Sequence, residues 1–288
     1  MPQSIRIVTV TYNSAAVIGA FLDGLPEGVE VVVVDNASTD ATREILGKSG
    51  VTVIPLDRNL GFGTACNRGA AGNDKEFVFF VNPDAVLDAE CCKRLVAAAA
   101  RHPEAAAFNP AILNSRGKIR LNRRSSLIPR AEWSDRSLAM DPDAEAQVNI
   151  LSGAALFCRQ AAFEAVGGFD ERIFLYHEDD DLCLRLRQKG WTLRLNHKAK
   201  AAHLGGASSG GSRRGTYLKA YHIAQSRMYV ERKHGVPLAG LRAWGRALAK
   251  LLSPLNLLSG RKRAQAMGYL NGTRSFAPVE YGHARPRP

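Results

Sequence analysis

The sequence has few cysteines and no long apolar run, and each shortage excludes a class of protein. Its five cysteines form no CxxC pair, so we expect reduced thiols and no structural zinc site. No segment reaches the roughly 20 consecutive apolar residues of a transmembrane helix. A strand-like run begins at Ile5, so we also expect no secretory signal and place the protein in the cytoplasm.

Acidic residues are scarce at the C-terminal end. From residue 210 onward the chain carries 15 lysines and arginines but only Glu231 and Glu280, a charge of +13, so the whole net charge of +12 belongs to this tail and residues 1–209 carry −1. Such a charge suggests a nucleic-acid-binding protein. The tail has few interleaved aromatic side chains, however, and that function leaves the acidic residues of the remaining chain unexplained, so we expect no nucleic-acid partner.

The first 100 residues alternate strand-like and helix-like patterns, which is typical of a parallel sheet with helices on its faces. Buried strands are predicted at Ile5–Thr11, Val29–Val34, Val51–Pro55 and Phe77–Val81. Ligands of such sheets bind at the carboxyl ends of the strands. The polar residues at these ends are Thr11, Tyr12, Asn13, Asp35, Asn36, Asn82 and Asp84.

The rest of the chain predicts two regions. Residues 115–149 lose the periodicity and are rich in arginine, which predicts a long acceptor-side loop within a catalytic domain at 1–209. A helix opening near His177, then two strands, Trp191–Asn196 and Ala199–Leu204, and a Gly/Ser linker, Gly205–Ser212, close this domain. A basic helical extension at 210–288 follows, with helices near Tyr217–Lys233 and Leu238–Leu252.

Two carboxylates at strand ends have more than one interpretation. Asp84 follows a buried strand, where it could hold a hard divalent cation, but Asn-Pro-Asp is also ordinary turn chemistry. The Asp35 carboxylate follows an apolar strand, where burying its charge is costly unless it has a hydrogen-bonding or ionic partner. Asp35 could accept the N–H of a pyrimidine or cap the helix that follows.

A third acidic region begins at His177. Residues 178–181 are four consecutive acids at the start of the predicted helix, where the helix dipole favours a solvated cap. Apolar residues on both sides favour a second interpretation, in which one carboxylate enters a cleft and deprotonates a hydroxyl. His203 ends a predicted strand and could be a metal ligand or a structural histidine.

Five motifs, in this order, resemble the family 2 glycosyltransferases of the GT-A fold: VTVTYNS, VVVVDNASTD, NLGFGTACNRG, FVFFVNPDA and GGFDERIFLYHEDDDLCLRLRQKG. The resemblance runs from Ile5 to His203. It implies an α/β, Rossmann-like fold with a mostly parallel central sheet and helices on both faces, to which the basic helical tail is added. It also implies an inverting transferase that uses Mg²⁺ or Mn²⁺ and a nucleotide-diphosphate sugar donor.

The resemblance assigns a role to each matching position. Asp179 corresponds to the catalytic base, and Asp84 and His203 to the metal ligands. Asn82 replaces the first aspartate of the family's Asp-X-Asp motif, which removes one negative charge from the metal site. The nucleotide-sugar-binding positions are Thr11, Tyr12, Asn13, Asp35, Asn36, Asn59, Gly61, Asn67, Asn82, Gly153 and Glu178.

Asn-Pro-Asp together with Asn-Leu-Gly-Phe-Gly resembles the rhamnosyltransferase-like branch, whose donor is dTDP-L-rhamnose. A cell-envelope polysaccharide or lipid-linked glycan acceptor follows from this, with peripheral membrane contact through the basic, leucine-rich tail at the inner face of the cell membrane. The tail could instead pack as helices with its charges solvated. A UDP- or GDP-sugar donor is also compatible with these motifs, as are a sugar nucleotidyltransferase that releases pyrophosphate and an inactive protein that binds sugar nucleotides without turnover.

Overall fold

The computed structural model describes residues 4–88, 90–114, 116–119, 124–134, 145–203, 212–257 and 259–276. These residues belong to two compact units. The larger unit draws on the segments Met1–Asn59, Thr64–Phe169 and Asp179–Ser208, and it contains the strands. The smaller unit draws on Leu60–Gly63, Asp170–Glu178 and Ser209–Pro288, and it contains the last four helices.

The strands of the described residues are β1 (Ile5–Thr11), β2 (Glu30–Asp35), β3 (Thr52–Pro55), β4 (Phe77–Val81), β5 (Ala85–Leu87), β6 (Ala105–Leu113), β7 (Glu145–Val148), β8 (Ala155–Arg159) and β9 (Thr192–His203). The helices are α1 (Ala15–Asp23), α2 (Thr42–Gly47), α3 (Phe62–Ala70), α4 (Cys91–Arg101), α5 (Gln160–Ala165), α6 (Glu178–Gln188), α7 (Arg213–Lys233), α8 (Ala239–Leu252), α9 (Pro254–Leu257) and α10 (Gly260–Arg274).

The strands form one sheet in the order β3-β2-β1-β4-β8-β6-β9-β5, and β7 pairs with β9. Strands β3, β2, β1 and β4 are parallel. Beyond β4 the sheet is mixed, because β8 runs antiparallel to β4 and β6 while β9 runs parallel to β6. The predicted α/β class is confirmed, and its parallel part is the first four strands.

Apolar composition explains the central strands. All five residues of β4 are buried, as expected for a strand covered on both faces. Phe77 stacks on Phe157 of β8 with ring centroids 4.7 Å apart, and Phe79 meets the same ring edge-on at 5.7 Å. These contacts join the parallel strands to the mixed half of the sheet through one hydrophobic core.

The late strands differ from the prediction. The two predicted strands Trp191–Asn196 and Ala199–Leu204 are one continuous strand, β9, with a bulge between Asn196 and Lys200. The Asn196 side-chain oxygen accepts two backbone N–H groups inside the bulge, which stabilises the extra residues without ending the strand. The predicted loop at 115–149 contains strand β7, and part of that loop lies outside the described residues.

The smaller unit contains α7 and α8, close to the predicted bounds, and α10, which the sequence analysis does not predict. Helices α7 and α10 approach closely at Gly268, where a Cβ would lie 2.2 Å from the carbonyl oxygen of Tyr217. No helix of the described residues is both long and apolar enough to cross a bilayer. The predicted linker Gly205–Ser212 lies outside the described residues except for Ser212.

Candidate active site

The carboxyl ends of β1 and β2 lie side by side, because Thr11 pairs with Asp35 in the sheet register. The Thr11 hydroxyl donates to Asp35 Oδ1 at 3.1 Å. Asp35 Oδ2 accepts the backbone N–H of Ser38 at 3.2 Å and Nε of Arg43 at 2.5 Å. Asp35 is fully buried, and these bonds offset the cost of burying its charge.

The loops that follow β1 and β2 are bonded to each other. The backbone N–H of Asn13 donates to Ser38 Oγ at 2.9 Å, and the Asn13 side-chain oxygen accepts the backbone N–H of Thr39 at 2.8 Å. Asn13 and Ala37 both adopt left-handed backbone conformations, with φ of 53° and 66°. Strained backbone of this kind persists where neighbouring contacts fix it, commonly at ligand sites. Tyr12 lies in the same loop and is 47% exposed.

Two predicted amides have defined partners. Asn36 Nδ2 donates to Asn59 Oδ1 at 2.9 Å, so the structure brings these two residues together beside the end of β2. The Asn67 amide instead bonds to the backbone N–H and carbonyl of Phe169, each at 2.9 Å. Asn67 therefore fixes the turn before residue 170, a role that the sequence analysis does not predict.

A second group of predicted residues follows β4. The backbone N–H of Asn82 donates to the carbonyl of Ala154 at 2.9 Å. Asp84 is 6% exposed and directly precedes Ala85, which pairs with His203 in the sheet. The backbone of His203 thus lies next to the Asp84 turn, while its side chain lies outside the described part of the structure.

The donor set at Asp84 is compatible with a divalent cation that the substrate helps to coordinate. Among the described residues, no group of three or more His, Cys, Asp or Glu side chains could hold a metal ion. Mg²⁺ is commonly bound by one or two carboxylates together with substrate phosphates rather than by a protein cage. A single carboxylate at this strand end fits that arrangement.

Asp179 lies in the first turn of α6. Its Oδ2 accepts the backbone N–H of Gly153 at 2.9 Å, and its Oδ1 accepts the N–H of Asp180 at 2.9 Å. Asp180 is 5% exposed, and Asp181 is fully buried and paired with Arg185 at 2.7 Å. The interpretation of this acidic run as a solvated cap is therefore wrong.

The loop that contains Gly153 is fixed by Asn109 on β6, a residue that the sequence analysis does not single out. Asn109 Oδ1 accepts the backbone N–H of Ser152 at 2.6 Å. Its Nδ2 donates to the carbonyls of Ser152 at 3.0 Å and Ala155 at 2.6 Å. Asn109 is 4% exposed, and a polar side chain inside an otherwise apolar strand is the signal that could have identified it.

Cys183 makes a second link between α6 and this loop. It lies one helical turn after Asp179, on the same face. The backbone N–H of Leu151 donates to Cys183 Sγ at 3.3 Å. Burial raises the pKa of the Cys183 thiol well above its ordinary value, so the group stays protonated. All five cysteines are buried free thiols, as composition predicts.

Gly61 and Glu178, two further predicted positions, belong to the smaller unit. Gly61 has φ of 90°, and a Cβ there would lie 2.2 Å from the carbonyl oxygen of Phe174, so this position requires glycine. Tyr176 and His177 are both left-handed, with φ of 67° and 66°, directly before the buried Glu178. Burial, with Glu178 nearby, raises the pKa of Tyr176 to about 12.

Solved structures share this fold. A fragment of Staphylococcus aureus TarS aligns with a TM-score of 0.55 and 18% identity, covering 94% of this chain and 90% of that one. The mannosyltransferase PcManGT of Pyrobaculum calidifontis, solved with GDP-Man and Mn²⁺, aligns with a TM-score of 0.59 and 17% identity, covering 94% and 86%. At this identity the likeness extends to the GT-A fold alone.

Sequence comparisons identify the family as well as the fold. A Mycobacterium tuberculosis N-acetylglucosaminyl-diphospho-decaprenol L-rhamnosyltransferase is 33% identical over 298 residues, covering 92% of this chain and 96% of that protein. A Haloferax volcanii low-salt glycan biosynthesis hexosyltransferase, Agl10, is 24% identical over 202 residues, covering 66% and 63%. The sequence profile of glycosyl transferase family 2 matches residues 6–167. The chain therefore belongs to glycosyl transferase family 2.

Proposed function

We propose that this glycosyltransferase moves L-rhamnose from dTDP-L-rhamnose onto a lipid-linked glycan acceptor of the cell envelope. The observation that carries the proposal is the 33% identity to an L-rhamnosyltransferase over 92% of this chain, which extends well beyond the family match at residues 6–167. That relative's name specifies an N-acetylglucosaminyl-diphospho-decaprenol acceptor. A polyprenyl diphosphate-linked sugar is accordingly the acceptor class that we propose here.

Asp179 is the proposed catalytic base. The acceptor hydroxyl attacks the anomeric carbon, its proton passes to the Asp179 carboxylate, and the nucleoside diphosphate leaves from the opposite face with inversion. The N–H groups of Gly153 and Asp180 each bond one carboxylate oxygen, which supports this role because they fix the carboxylate orientation.

The loops after β1 and β2 are the proposed site of the base and ribose. Tyr12 offers an exposed ring for stacking, and the Asn36–Asn59 pair offers amides beside it. Asp35 has three described hydrogen bonds out of about four acceptor positions of a carboxylate, so it can accept one N–H of a pyrimidine. We propose that Thr11, Asn13 and Asn67 shape this pocket through the hydrogen bonds that they make.

The sugar diphosphate is proposed to lie beside the turn at Asn82 and the loop at Gly153, which a backbone hydrogen bond from Asn82 to Ala154 holds together. Asp84, with His203, would hold Mg²⁺ or Mn²⁺, and the ion would neutralise the diphosphate charge. With Asn82 in place of an aspartate, the protein supplies less negative charge, so we expect the donor to contribute strongly to metal affinity.

We propose residues 1–209 as the catalytic domain, with the loop at 115–149 on the acceptor side, and residues 210–288 as an extension that contacts the membrane surface. The contact is supported by α8, which exposes a stripe of apolar side chains between basic residues. The exposed apolar residues are Leu238, Leu241, Trp244, Leu248 and Leu252. Their exposure is unusual unless an apolar phase covers them.

The proposal is tested by incubating the purified chain with an N-acetylglucosaminyl-diphospho-polyprenol acceptor and dTDP-, UDP- or GDP-sugars, with Mg²⁺ or Mn²⁺. We expect dTDP release and a product heavier by one deoxyhexose from dTDP-L-rhamnose alone. Turnover of a UDP- or GDP-sugar instead would replace the donor but keep the reaction class. Donor binding without release from any donor, in the presence of the acceptor, would identify an inactive binding protein.

A further inference from the structure

A groove between the first halves of α7 and α10 is lined by basic and polar side chains together with Gly215, Ala220 and Ile223. It lies within the smaller unit and has a volume of about 450 Å³. The α7 wall includes Lys219 and Thr216, which share one helix face. The α10 wall includes Arg261, Lys262, Ser259 and Gln265, so three cations, two hydroxyls and one amide meet here.

The positive charge of this groove is not balanced by the protein around it. No carboxylate is among the described lining residues, and within the described part of the chain none of Lys219, Arg261 and Lys262 has an acidic partner. Lys219 is instead held over the ring of Tyr176 at 5.3 Å. Like charges gathered at one place repel each other, and a bound anion would relieve the repulsion.

The start of α10 adds to this field. Helix N-termini carry partial positive charge and unsatisfied N–H groups. Ser259 precedes the helix but makes no side-chain cap hydrogen bond. The Arg213 guanidinium packs against Gly260, 2.8 Å from where a Cβ would lie, so a fourth cation borders the same helix end.

We propose that this groove binds a phosphate or diphosphate group. Compact oxyanions accept several charge-assisted hydrogen bonds at once, which the three cations and the Ser259 hydroxyl can donate; the Thr216 hydroxyl donates to the carbonyl of Ser212. The volume exceeds that of a single phosphate and accommodates a diphosphate with part of its attached group. The group can come from the diphosphate of a lipid-linked acceptor or from a phospholipid headgroup, two sources that present the same chemistry.

The experiment measures inorganic pyrophosphate binding by the full chain, using titration calorimetry in EDTA with no donor or acceptor present. The test variant combines Lys219→Gln and Arg261→Gln. The matched control combines Arg242→Gln and Arg274→Gln, which removes the same charge from exposed positions of α8 and α10. Circular dichroism verifies that both variants fold like the native chain.

We expect the native chain to bind pyrophosphate and the groove variant to bind at least about tenfold more weakly, because charge-assisted hydrogen bonds are the strong ones. The control should change affinity less than about twofold. No binding by the native chain, or equal weakening in both variants, would overturn the proposal. Because the assay contains no sugar donor, its failure is distinguishable from failure of the proposed transfer reaction.

Vesicles then distinguish the two sources. If phosphatidylglycerol vesicles displace bound pyrophosphate and phosphatidylcholine vesicles do not, the groove binds anionic headgroups at a membrane surface. If neither vesicle displaces pyrophosphate while a polyprenyl diphosphate in detergent does, the groove binds the acceptor diphosphate. Either displacement supports the site, and displacement equal in native chain and groove variant would contradict it.

Discussion

Replacing Asn109 with alanine tests whether the loop at Gly153 sets the position of Asp179. The change removes hydrogen bonds of 2.6, 3.0 and 2.6 Å and takes this partner from three backbone groups, two on the half-buried Ser152 and one on the buried Ala155. At about 1 kcal/mol or more for each such group, we expect a loss of about 3 kcal/mol in the free energy of unfolding. That loss corresponds to a melting temperature lower by roughly 6–12 °C for a domain of this size.

The same variant should turn over slowly. Asp179 is bonded to the N–H of Gly153 inside the released loop, and a misplacement of about 1 Å can cost on the order of 100-fold in rate. We therefore expect kcat to fall about 10- to 100-fold, and KM for the donor to rise as well, because the same loop borders the proposed diphosphate site. Both constants are measured by dTDP release well below the melting temperature of the variant.

Asn73→Ala is the matched control, because Asn73 also bonds a backbone carbonyl and a side chain, at 3.3 and 2.9 Å, but away from this loop. It should lower the melting temperature and leave kcat near the native value. The reasoning is refuted if Asn109→Ala keeps native kcat, or if Asn73→Ala loses as much activity for the same loss of stability.

Three further changes probe the smaller unit. Gly272→Ala places a Cβ 2.3 Å from the carbonyl oxygen of Tyr221 and should cost about 1–3 kcal/mol in urea unfolding, whereas Gly245→Ala, with open space around it, should be neutral or stabilising. Burial lowers the pKa of His222 to about 4 from its ordinary 6.5, so the folded chain binds fewer protons than the unfolded chain between these values. Stability should therefore fall as the pH drops from 6.5 to 4, and His222→Phe should flatten that dependence of melting temperature on pH; a native melting temperature constant over this range would contradict it. Glu231→Gln removes the fully buried carboxylate that pairs with Arg227 and Arg246. It should lower the free energy of unfolding by about 3 kcal/mol, because both arginines lose their counter-charge. A measured loss below about 1 kcal/mol would show that water compensates the two arginines.

The strands that the sequence predicts best are those whose burial on both faces imposes an unbroken apolar run. Strands β1 and β4 have the predicted bounds for this reason. Strand β6 reads AAAFNPAIL, and alanine and proline are poor strand formers, so only its neighbours in the sheet specify it. Strand β7 reads EAQV and pairs with β9 at the edge, where a polar sequence is acceptable.

The candidate site also has one part that the sequence predicts and another that it does not. The polar residues at the ends of β1, β2 and β4 are predictable, because parallel strands bring their carboxyl ends to one edge. The contacts that hold them are between distant parts of the chain, such as Asn109 with Ser152 and Asn67 with Phe169. A single sequence specifies that these amides need partners but not which backbone groups supply them.

The most direct test of the account is the rate of rhamnosyl transfer from dTDP-L-rhamnose by Asp179→Asn. Asparagine keeps an oxygen to accept the N–H of Gly153, so the fold and donor binding should persist. We expect kcat to fall by at least about 10²-fold while the dissociation constant of the donor stays within a fewfold of native. The exposed surface variant Glu44→Gln, which also removes one carboxylate charge, should remain fully active. An Asp179→Asn variant that transfers rhamnose at the native rate would contradict the assignment of Asp179 as the base.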